Sequence, residues 1–167
     1  MIRIGVVADT HIPGRANKLL PDILVNGLQQ VDAIIHAGDW VTMEAADELA
    51  KLAPLHGVTG NGDGEALYRR FGSRKIVLFD GLRIGIVHGH EGPGRSTPER
   101  ARRAFADESV DLIVFGHSHI PFMEKHGGTV LFNPGSPTDK RRQPKYSYGI
   151  VTVDGGSFSA SHHYFSL

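Results

Sequence analysis

Five short apolar runs in this sequence each lead directly into side chains that can bind a metal ion. One Asp or His after a strand carries little information, but five such junctions in a short chain are hard to explain by packing alone. The residues at the junctions are Asp9, His11, Asp39, Asn61, His88, His117 and His119. In an open α/β sheet the ligand crevice lies beyond the carboxyl ends of the strands, so these side chains are expected to converge. The pattern predicts a centre with two metal ions.

The first half of the sequence alternates strand-like and helix-like segments. Apolar periodicity predicts a helix between Leu19 and Val31, with Pro21 in its first turn, and another over Met43–Leu52. The predicted strands are Ile2–Ala8, Ala33–Ala37 and Leu55–Thr59. Strands separated by helices of this length indicate right-handed βαβ units and a parallel sheet.

The second half of the sequence is predicted to contain more strands and fewer helices than the first. Asp80-Gly81 is a two-residue hairpin signal between two strand-like runs, and Thr97 and Pro98 are typical of the start of a helix that reaches Asp107. The predicted strands are Ile76–Phe79, Leu82–Val87, Leu112–Phe115, Phe122–Lys125, Thr129–Phe132, Tyr148–Val153 and Phe158–Tyr164, the last four antiparallel. Together the elements predict an α/β fold in which two packed mixed β-sheets are flanked by helices.

Length and composition restrict the class of protein. The 167 residues are expected to form a single domain, residues 1–167. The formal net charge is zero, so a nucleic-acid partner is not expected. The absence of cysteine excludes disulfides, thiolate metal sites and a Cys nucleophile. No apolar stretch approaches the roughly 20 residues that span a bilayer, and the start has no signal-like pattern, so a cytoplasmic location without membrane contact is expected.

The order of the motifs resembles the calcineurin-like metallophosphoesterase superfamily, in its compact single-domain bacterial and archaeal branch. The motifs are Asp9-Thr10-His11, Gly38-Asp39, Gly60-Asn61-Gly62-Asp63, His88-Gly89-His90 and Gly116-His117-Ser118-His119. The resemblance extends from Asp9 through Asn133-Pro134-Gly135-Ser136. Each motif alone is common, whereas all five in this order are specific. The resemblance implies an α/β/β/α sandwich and a metal-dependent phosphoric ester hydrolase.

The resemblance also implies two ligand sets. The first metal ion would take Asp9, His11, Asp39 and His119. The second would take Asp39, Asn61, His88 and His117, with Asp39 bridging the pair. Imidazole and carboxylate ligands suit Mn, and also Zn, Fe, Ni or Co. The implied reaction is hydrolysis of a small phosphate ester by a hydroxide that bridges two divalent cations.

One position departs from the superfamily pattern. Many members carry His where this chain has Gly62, and that His is assigned to leaving-group protonation or phosphate stabilisation. General acid catalysis contributes about 10²–10⁴-fold, so its loss should affect alkyl monoesters most and diesters least. We therefore expect a phosphodiesterase, with Asp39 and Asn61 at the catalytic centre. His90 lies near enough to His88 in sequence to act as a substitute acid.

Several polar residues permit both a structural and a functional interpretation. Asp63 is typical of a turn, although it could orient a ligand imidazole. His36 is predicted to be a packed or hydrogen-bonded residue. Asn133-Pro134-Gly135-Ser136 is either a plain turn or a loop close to the active site. The basic run at Lys140 and the arginines near Arg100 are interpreted first as solvated surfaces.

Two alternatives to a phosphodiesterase remain open. One is a phosphomonoesterase that uses the same site and takes its proton from water or from His90. The other is a non-catalytic scaffold of the same fold that binds metal or a protein partner without turnover. The physiological substrate, the native metal and the oligomeric state are not determined by these residues.

Overall fold

The strands of the protein form two five-stranded sheets in the computed structural model, which describes residues 1–12 and 19–167. The helices are α1 (Asp22–Gly27), α2 (Met43–Ala50), α3 (Glu65–Phe71) and α4 (Thr97–Arg103). The strands are β1 (Ile2–Val7), β2 (Ala33–His36), β3 (Leu55–Gly57), β4 (Arg74–Phe79), β5 (Leu82–Val87), β6 (Leu112–Val114), β7 (Phe122–His126), β8 (Thr129–Asn133), β9 (Tyr146–Asp154) and β10 (Ser157–Phe165).

The first sheet has the strand order β10-β9-β1-β2-β3. Strands β1, β2 and β3 are parallel, as the alternating strands and helices predict, and α1 and α2 are the connections between them. The hairpin β9–β10 extends this sheet with antiparallel pairing to β1. The sheet is therefore mixed, with its parallel half built from the first 57 residues.

The second sheet has the strand order β4-β5-β6-β8-β7. Its β4–β5 hairpin turns at Asp80 and Gly81, both with positive φ, which is the turn geometry expected of an Asp-Gly pair. Strand β8 is antiparallel to β7 but parallel to β6. Among the last four strands, the pairs β7–β8 and β9–β10 are antiparallel, as predicted. The parallel pairing of β8 with β6 adds to the mixed character of this sheet and was not predicted.

The main core lies between the two sheets. Ile4 and Val6 of β1 face this layer together with Ile84 and Ile86 of β5. Val7 points to the opposite side, towards the helices, because successive strand residues alternate between faces. Helices α1 to α3 cover the outer face of the first sheet, and α4 covers the second. The predicted arrangement of two packed mixed sheets flanked by helices is confirmed.

Two helices of the first half differ from the sequence predictions. Helix α1 is only six residues long, and Pro21 is its N-cap rather than part of its first turn. Helix α3, Glu65–Phe71, was not predicted, although Leu67 and Phe71 lie on one helical face and are buried. Its short length and the preceding glycine-rich turn leave too little periodic sequence for a prediction.

Helix α4 begins one residue earlier than its sequence suggests. Ser96, not Thr97, is the N-cap, and its Oγ accepts the N–H of Glu99 at 3.3 Å. Both residues are competent caps, so the sequence alone does not choose between them. In the part of the chain that the structure describes, no helix is long and apolar enough to cross a membrane.

Candidate metal centre

The candidate site lies where the carboxyl ends of strands from both sheets meet. Within the first sheet, the N–H of Asp9 donates to the Gly38 carbonyl at 2.9 Å. Within the second, the N–H of Gly116 donates to the His88 carbonyl at 3.0 Å. The packing of the two sheets brings these edges together, so loops distant in sequence supply neighbouring side chains. The convergence expected from the strand ends is realised across two sheets rather than one.

Asp9 is the central side chain of the cluster and is fully buried. Its Oδ1 lies 3.8 Å from Nε2 of His11 and 3.6 Å from Nε2 of His119. The same oxygen lies 3.7 Å from Nε2 of His88. Its Oδ2 accepts the backbone N–H of His117 at 2.9 Å. One carboxylate therefore contacts loops from both sheets.

Asp39 is the second carboxylate of the cluster. Its Oδ2 lies 3.4 Å from Nε2 of His11 and 3.3 Å from Nε2 of His88. Its Oδ1 accepts the N–H of Gly62 at 2.8 Å. Asp39 thus faces one imidazole from each of the two ligand sets that the sequence resemblance implies, as a bridging carboxylate would.

Two groups of side chains each present their ligand atoms within 4.8 Å of one another. One group is Asp9, His11 and His119, and the other is Asp9, Asp39 and His88. Asp9 belongs to both groups, whereas the resemblance places it in the first set alone. The geometry therefore makes both carboxylates, and not only Asp39, candidates for contact with two cations.

Four ligand atoms in this cluster are buried and lack any hydrogen-bond partner within residues 1–12 and 19–167: Asp9 Oδ1 and the Nε2 atoms of His11, His88 and His119. Such an atom costs roughly 1–3 kcal/mol. The imidazole nitrogens lie 3.3–3.8 Å from the carboxylate oxygens of Asp9 and Asp39, which is too long for good hydrogen bonds. Two ligands bound at about 2.1 Å to one cation would be ~3.0–3.5 Å apart. The cluster therefore fits metal ions held by imidazole and carboxylate.

Backbone carbonyls orient two of the imidazoles. Nδ1 of His88 donates to the carbonyl of Ala37 at 2.7 Å, and Nδ1 of His119 donates to the carbonyl of Asp139. With the proton on Nδ1, the neutral ring carries its lone pair on Nε2, which is the atom that faces the carboxylates. Hydrogen bonds of this kind fix the tautomer and increase the basicity of a metal-binding imidazole.

The carboxylates and the imidazoles of the cluster shift one another's pKa values. Burial alone would lower the pKa of His88, but Asp39, Asp9 and the Ala37 carbonyl raise this pKa to about 8. Burial alone would raise the pKa of Asp39, yet His88 and the Gly62 N–H hold that pKa well below its usual range. Without metal, His88 therefore holds a proton near neutral pH that a cation would displace.

His117 and Asn61 lie at the margin of the cluster. The ring of His117 is half-buried with its centroid 5.2 Å from that of His88. Burial, followed by the charge of His88, lowers the pKa of His117, which favours the neutral ring that a metal requires. Asn61 is exposed in the turn between Gly60 and Asp63, and the next N–H along the chain is the one that binds Asp39.

The backbone at the candidate ligands is strained. Five of them have positive φ, a conformation that costs a non-glycine residue of order 1–3 kcal/mol. They are Asp9 (54°), His11 (42°), Asp39 (63°), His117 (72°) and His119 (63°). Backbone strain concentrated at one set of residues is typical of a functional site, where it persists despite its cost in stability. No sequence pattern revealed this property.

Asp63 links two of the candidate ligand loops. Its Oδ2 accepts the N–H of Asp39 and the N–H of Gly60, each at 2.8 Å. Its Oδ1 accepts the N–H of Val41, also at 2.8 Å. The carboxylate binds three backbone N–H groups rather than an imidazole, so its role goes beyond that of the simple turn residue predicted from the sequence.

The loop after β8 supports the cluster from the other side. Oγ of Ser136 donates to the Asp9 carbonyl at 2.8 Å, and the carbonyl of Asp139 accepts from His119. Nδ2 of Asn133 donates to the Gly116 carbonyl at 3.0 Å. Of the two interpretations of Asn133-Pro134-Gly135-Ser136, the structure favours a loop beside the site. The role of Asp139 was not predicted.

His36 is packed and hydrogen-bonded, as predicted, and does not face the carboxylates. Its Nδ1 accepts the N–H of Gly38 at 3.0 Å, so the neutral ring carries its proton on Nε2, which lies 3.0 Å from Oγ1 of Thr10. Its ring stacks on Trp40 with centroids 3.6 Å apart, and Trp40 stacks on Phe71 at 4.5 Å. Burial lowers the pKa of His36 well below its usual value, so it remains neutral.

His90 lies beside the cluster but outside both ligand groups. Its ring centroid is 5.3 Å from that of His88 and 6.2 Å from that of His117. Nε2 pairs with Glu91 at 2.8 Å. Nδ1 is buried and has no hydrogen-bond partner among the residues described. The ring is therefore within reach of a molecule bound at the centre.

Comparisons of the sequence relate this chain to known proteins. The sequence model of the calcineurin-like phosphoesterase superfamily domain matches residues 2–156. The chain is 34% identical over 161 residues to a probable metallophosphoesterase from Methanothermobacter thermautotrophicus, covering 94% of this chain and 89% of the relative.

Solved structures show the same fold at lower sequence identity. Vps29 from Entamoeba histolytica in complex with Zn²⁺ is 22% identical, with a TM-score of 0.75 over 99% of this chain and 100% of that chain. A novel archaeal phosphodiesterase is also 22% identical, with a TM-score of 0.70 over 97% of this chain and 100% of that chain. At these identities the likeness shows the fold alone.

Proposed function

The chain belongs to the calcineurin-like phosphoesterase superfamily, and on that premise we propose that it is a binuclear metal-dependent phosphodiesterase. The observation that carries the proposal is the buried Oδ1 of Asp9, which faces three imidazole nitrogens and has no hydrogen-bond partner in the described structure. Packing or hydrogen bonding gives no reason for this arrangement, whereas divalent cations would satisfy all four atoms.

We assign the ligands as two sets that share a carboxylate. The first metal ion takes Asp9, His11, Asp39 and His119, and the second takes Asp39, Asn61, His88 and His117. The proximity of Asp39 Oδ2 to both His11 and His88 supports its bridging role. Asn61 is assigned from the family pattern and from its place beside Gly62, whose N–H binds Asp39.

When bound, two divalent cations would activate a water molecule and neutralise charge on the phosphate. Hydrogen bonds within the chain fix the positions of the proposed ligand atoms. Asp63 and Ser136 fix the loops of Asp39 and Asp9. The carbonyls of Ala37 and Asp139 aim the lone pairs of His88 and His119 inward. The five side chains that already converge would bind ions with little rearrangement, which favours catalysis by positioning.

Gly62 supports a preference for diesters. A Cβ at this position would stand 3.2 Å from Oδ1 of Asp39, so a side chain here would project beside the bridging carboxylate. Because glycine has no side chain, this position offers no proton donor. It also leaves space next to Asp39 for the second esterified group of a diester. The archaeal relative of similar fold described as a phosphodiesterase is consistent with this reaction.

His90 is the residue best placed to supply a proton. Its ring lies close to two assigned ligands of the second metal, and its contact with Glu91 holds one ring nitrogen in place. The buried Nδ1 is then the atom left to face a leaving group, to which it can give a proton only from the ring form that is protonated on both nitrogens. Because a diester with a good leaving group needs little protonation, His90 would contribute more to the hydrolysis of alkyl esters.

We expect Mn²⁺ to support activity best. Zn²⁺, Fe²⁺, Ni²⁺ and Co²⁺ also bind imidazole and carboxylate ligands and are the other candidates. The crystal structure of a Vps29 with Zn²⁺ is consistent with a cation in this fold. The substrate is a small phosphate ester, since the formal net charge is zero and offers no general attraction to nucleic acid.

The absence of a side chain at Gly62 leaves two alternatives: a phosphomonoesterase with the same ligands, and a scaffold that binds metal without turnover. The experiment that separates them uses chelator-treated protein with bis(4-nitrophenyl) phosphate and 4-nitrophenyl phosphate, with and without Mn²⁺. Mn²⁺-dependent hydrolysis that is faster on the diester supports the proposal. Faster hydrolysis of the monoester supports the monoesterase. Bound metal without hydrolysis of either ester supports the scaffold.

A further inference from the structure

A cavity of about 240 Å³ adjoins the candidate metal centre on the side of the second sheet. It lies between the start of β4, the loop that follows His88 and the second half of α4. The residues that line it are Ser73, Arg74, Val87, Gly89, His90, Glu91, Gly92, Pro93, Arg100, Arg103 and Ala104. Three arginines and one carboxylate give this cavity an excess of positive charge.

His90 connects the cavity to the metal centre. Its ring lines the cavity and lies 5.3 Å, centroid to centroid, from the ring of His88. It also lines a second space of about 360 Å³, which borders Gly60 and Asp63 in the turn of Asn61. A molecule bound at the metal centre can therefore extend past His90 into the cavity lined by arginines.

The arginines of the cavity are not equivalent. Arg103 pairs with Glu99 at 3.0 Å, and Arg74 lies 3.7 Å from Glu108 while it donates to a backbone carbonyl at 2.9 Å. Arg100 is half-buried, and its guanidinium has no ion pair or hydrogen bond to any residue in 1–12 or 19–167. Arg100 is thus the cation with unused donors.

The carboxylate of the cavity does not neutralise Arg100. Glu91 is 74% exposed, and its carboxylate lies 2.8 Å from Nε2 of His90. The carboxylate therefore pairs with the imidazole and not with Arg100. An anion in the cavity would therefore meet at least one unpaired guanidinium. Arginine binds carboxylate or phosphate through two parallel donors, and phosphate is the anion that the substrate of a phosphoesterase already carries.

We propose that this cavity binds a second phosphate group, carried on the arm of the substrate that lies beyond the ester to be cleaved. The proposal rests on the phosphodiesterase assignment and deepens it. The substrate class is a phosphodiester with an additional phosphate on one side. Arg100 is a specificity-determining residue, whereas Arg74 and Arg103 line the cavity with their charges largely compensated by Glu108 and Glu99.

The test uses a matched pair of chromogenic diesters. One is the 4-nitrophenyl ester of thymidine 5′-phosphate, and the other is the same ester with an added 3′-phosphate. With Mn²⁺, we expect kcat/KM to be about tenfold higher for the 3′-phosphorylated ester, the size of one partly exposed charge-assisted contact. Arg100→Gln should remove this preference and leave hydrolysis of the unphosphorylated ester unchanged.

Arg102→Gln is the control variant. Arg102 lies on the same helix, but it lines a different cavity with Phe122 and Glu124, so its loss changes net charge equally without touching the proposed site. The preference for the 3′-phosphate should persist in this variant. A preference that is absent in the native protein, or retained in Arg100→Gln, would overturn the assignment of the cavity.

A binding measurement separates this proposal from the proposed function. By calorimetry, thymidine 3′,5′-bisphosphate should bind about tenfold more tightly than thymidine 5′-phosphate, and Arg100→Gln should abolish the difference. That result with no hydrolysis of any diester would retain the phosphate site and refute the phosphodiesterase. Hydrolysis without any effect of the 3′-phosphate on rate or binding would refute only the phosphate site.

Discussion

The carboxylate of Asp63 accepts the backbone N–H of Asp39 at 2.8 Å and so joins the loop of one candidate ligand to the loop of another. The same carboxylate accepts from Gly60 and from Val41. Asp39 and Val41 both have positive φ, which is especially unfavourable for a β-branched residue. Asp63 therefore offsets strain that the site requires.

Replacement of Asp63 by Asn should loosen this junction. Asn can accept through only one atom, so at least one N–H loses its partner, and we expect unfolding free energy to fall by about 1–3 kcal/mol. Mn²⁺ affinity should fall about tenfold because the loop of Asp39 is less well fixed. Urea denaturation and metal titration measure the two effects. Asp107→Asn, which removes the same charge from an exposed position, should change neither.

Replacement of Asp39, the proposed bridging ligand, should lower metal content and activity together. In Asp39→Asn, one ligand of both cations loses its charge, so we expect bound metal to fall below two ions and turnover to drop by more than about 100-fold. Elemental analysis after gel filtration and the diester assay provide the measurements. His126→Ala, at an exposed histidine of β7, should retain both. Full activity in Asp39→Asn would refute the ligand assignment.

Metal binding should release protons in a pH-dependent manner. The pKa of His88 is raised to about 8 without metal, so at pH 7 its ring is mostly protonated and must lose that proton to bind a cation. His11, whose pKa is also raised, adds to the release, whereas Asp39 is already ionised. Metal affinity should therefore increase from pH 6.5 to about pH 8 and then level off.

Calorimetry of Mn²⁺ binding in two buffers with different ionisation enthalpies counts these protons. We expect about one proton or more to be released at pH 7 and almost none from the imidazoles at pH 9. Equal release at both pH values would contradict the assignment of His88 as a ligand.

Introduction of His at Gly62 should raise monoesterase activity. The backbone at Gly62 does not have the left-handed φ that would exclude a side chain, and its Cβ would meet Asp39 Oδ1 at 3.2 Å, which requires only a small adjustment. A gain of about 10²-fold on 4-nitrophenyl phosphate relative to Gly62→Ala is expected if the missing acid limits the rate. Gly62→Ala supplies the same Cβ without the imidazole. Equal rates in the two variants would show that protonation is not limiting.

The sequence predicted the parts of the fold that depend on local pattern. The parallel strands β1 to β3 follow from alternating apolar runs and helices, and the β4–β5 hairpin follows from Asp80-Gly81. The parallel pairing of β8 with β6 was not predictable in this way, because it depends on which distant strand lies beside β8. Helix α3 was missed because its seven residues carry little periodicity.

The candidate ligands were predictable because metal chemistry needs particular side chains at strand ends. Their supports were not, since they act through backbone groups that any residue has. Asp139 holds His119 through its carbonyl, and Ala37 holds His88 in the same way. Asp63 acts through its side chain, but its partners are backbone N–H groups from two loops that only the folded chain brings together.

The stack of His36, Trp40 and Phe71 has a practical consequence. Trp40 is the only tryptophan of the chain, is fully buried, and directly follows Asp39. Its ultraviolet emission therefore comes from a single known place, one residue from the carboxylate assigned to both cations. Occupancy of the centre should register as a change in the intensity of that emission, without an added dye. We therefore expect the emission of Trp40 to report metal loading in the native chain.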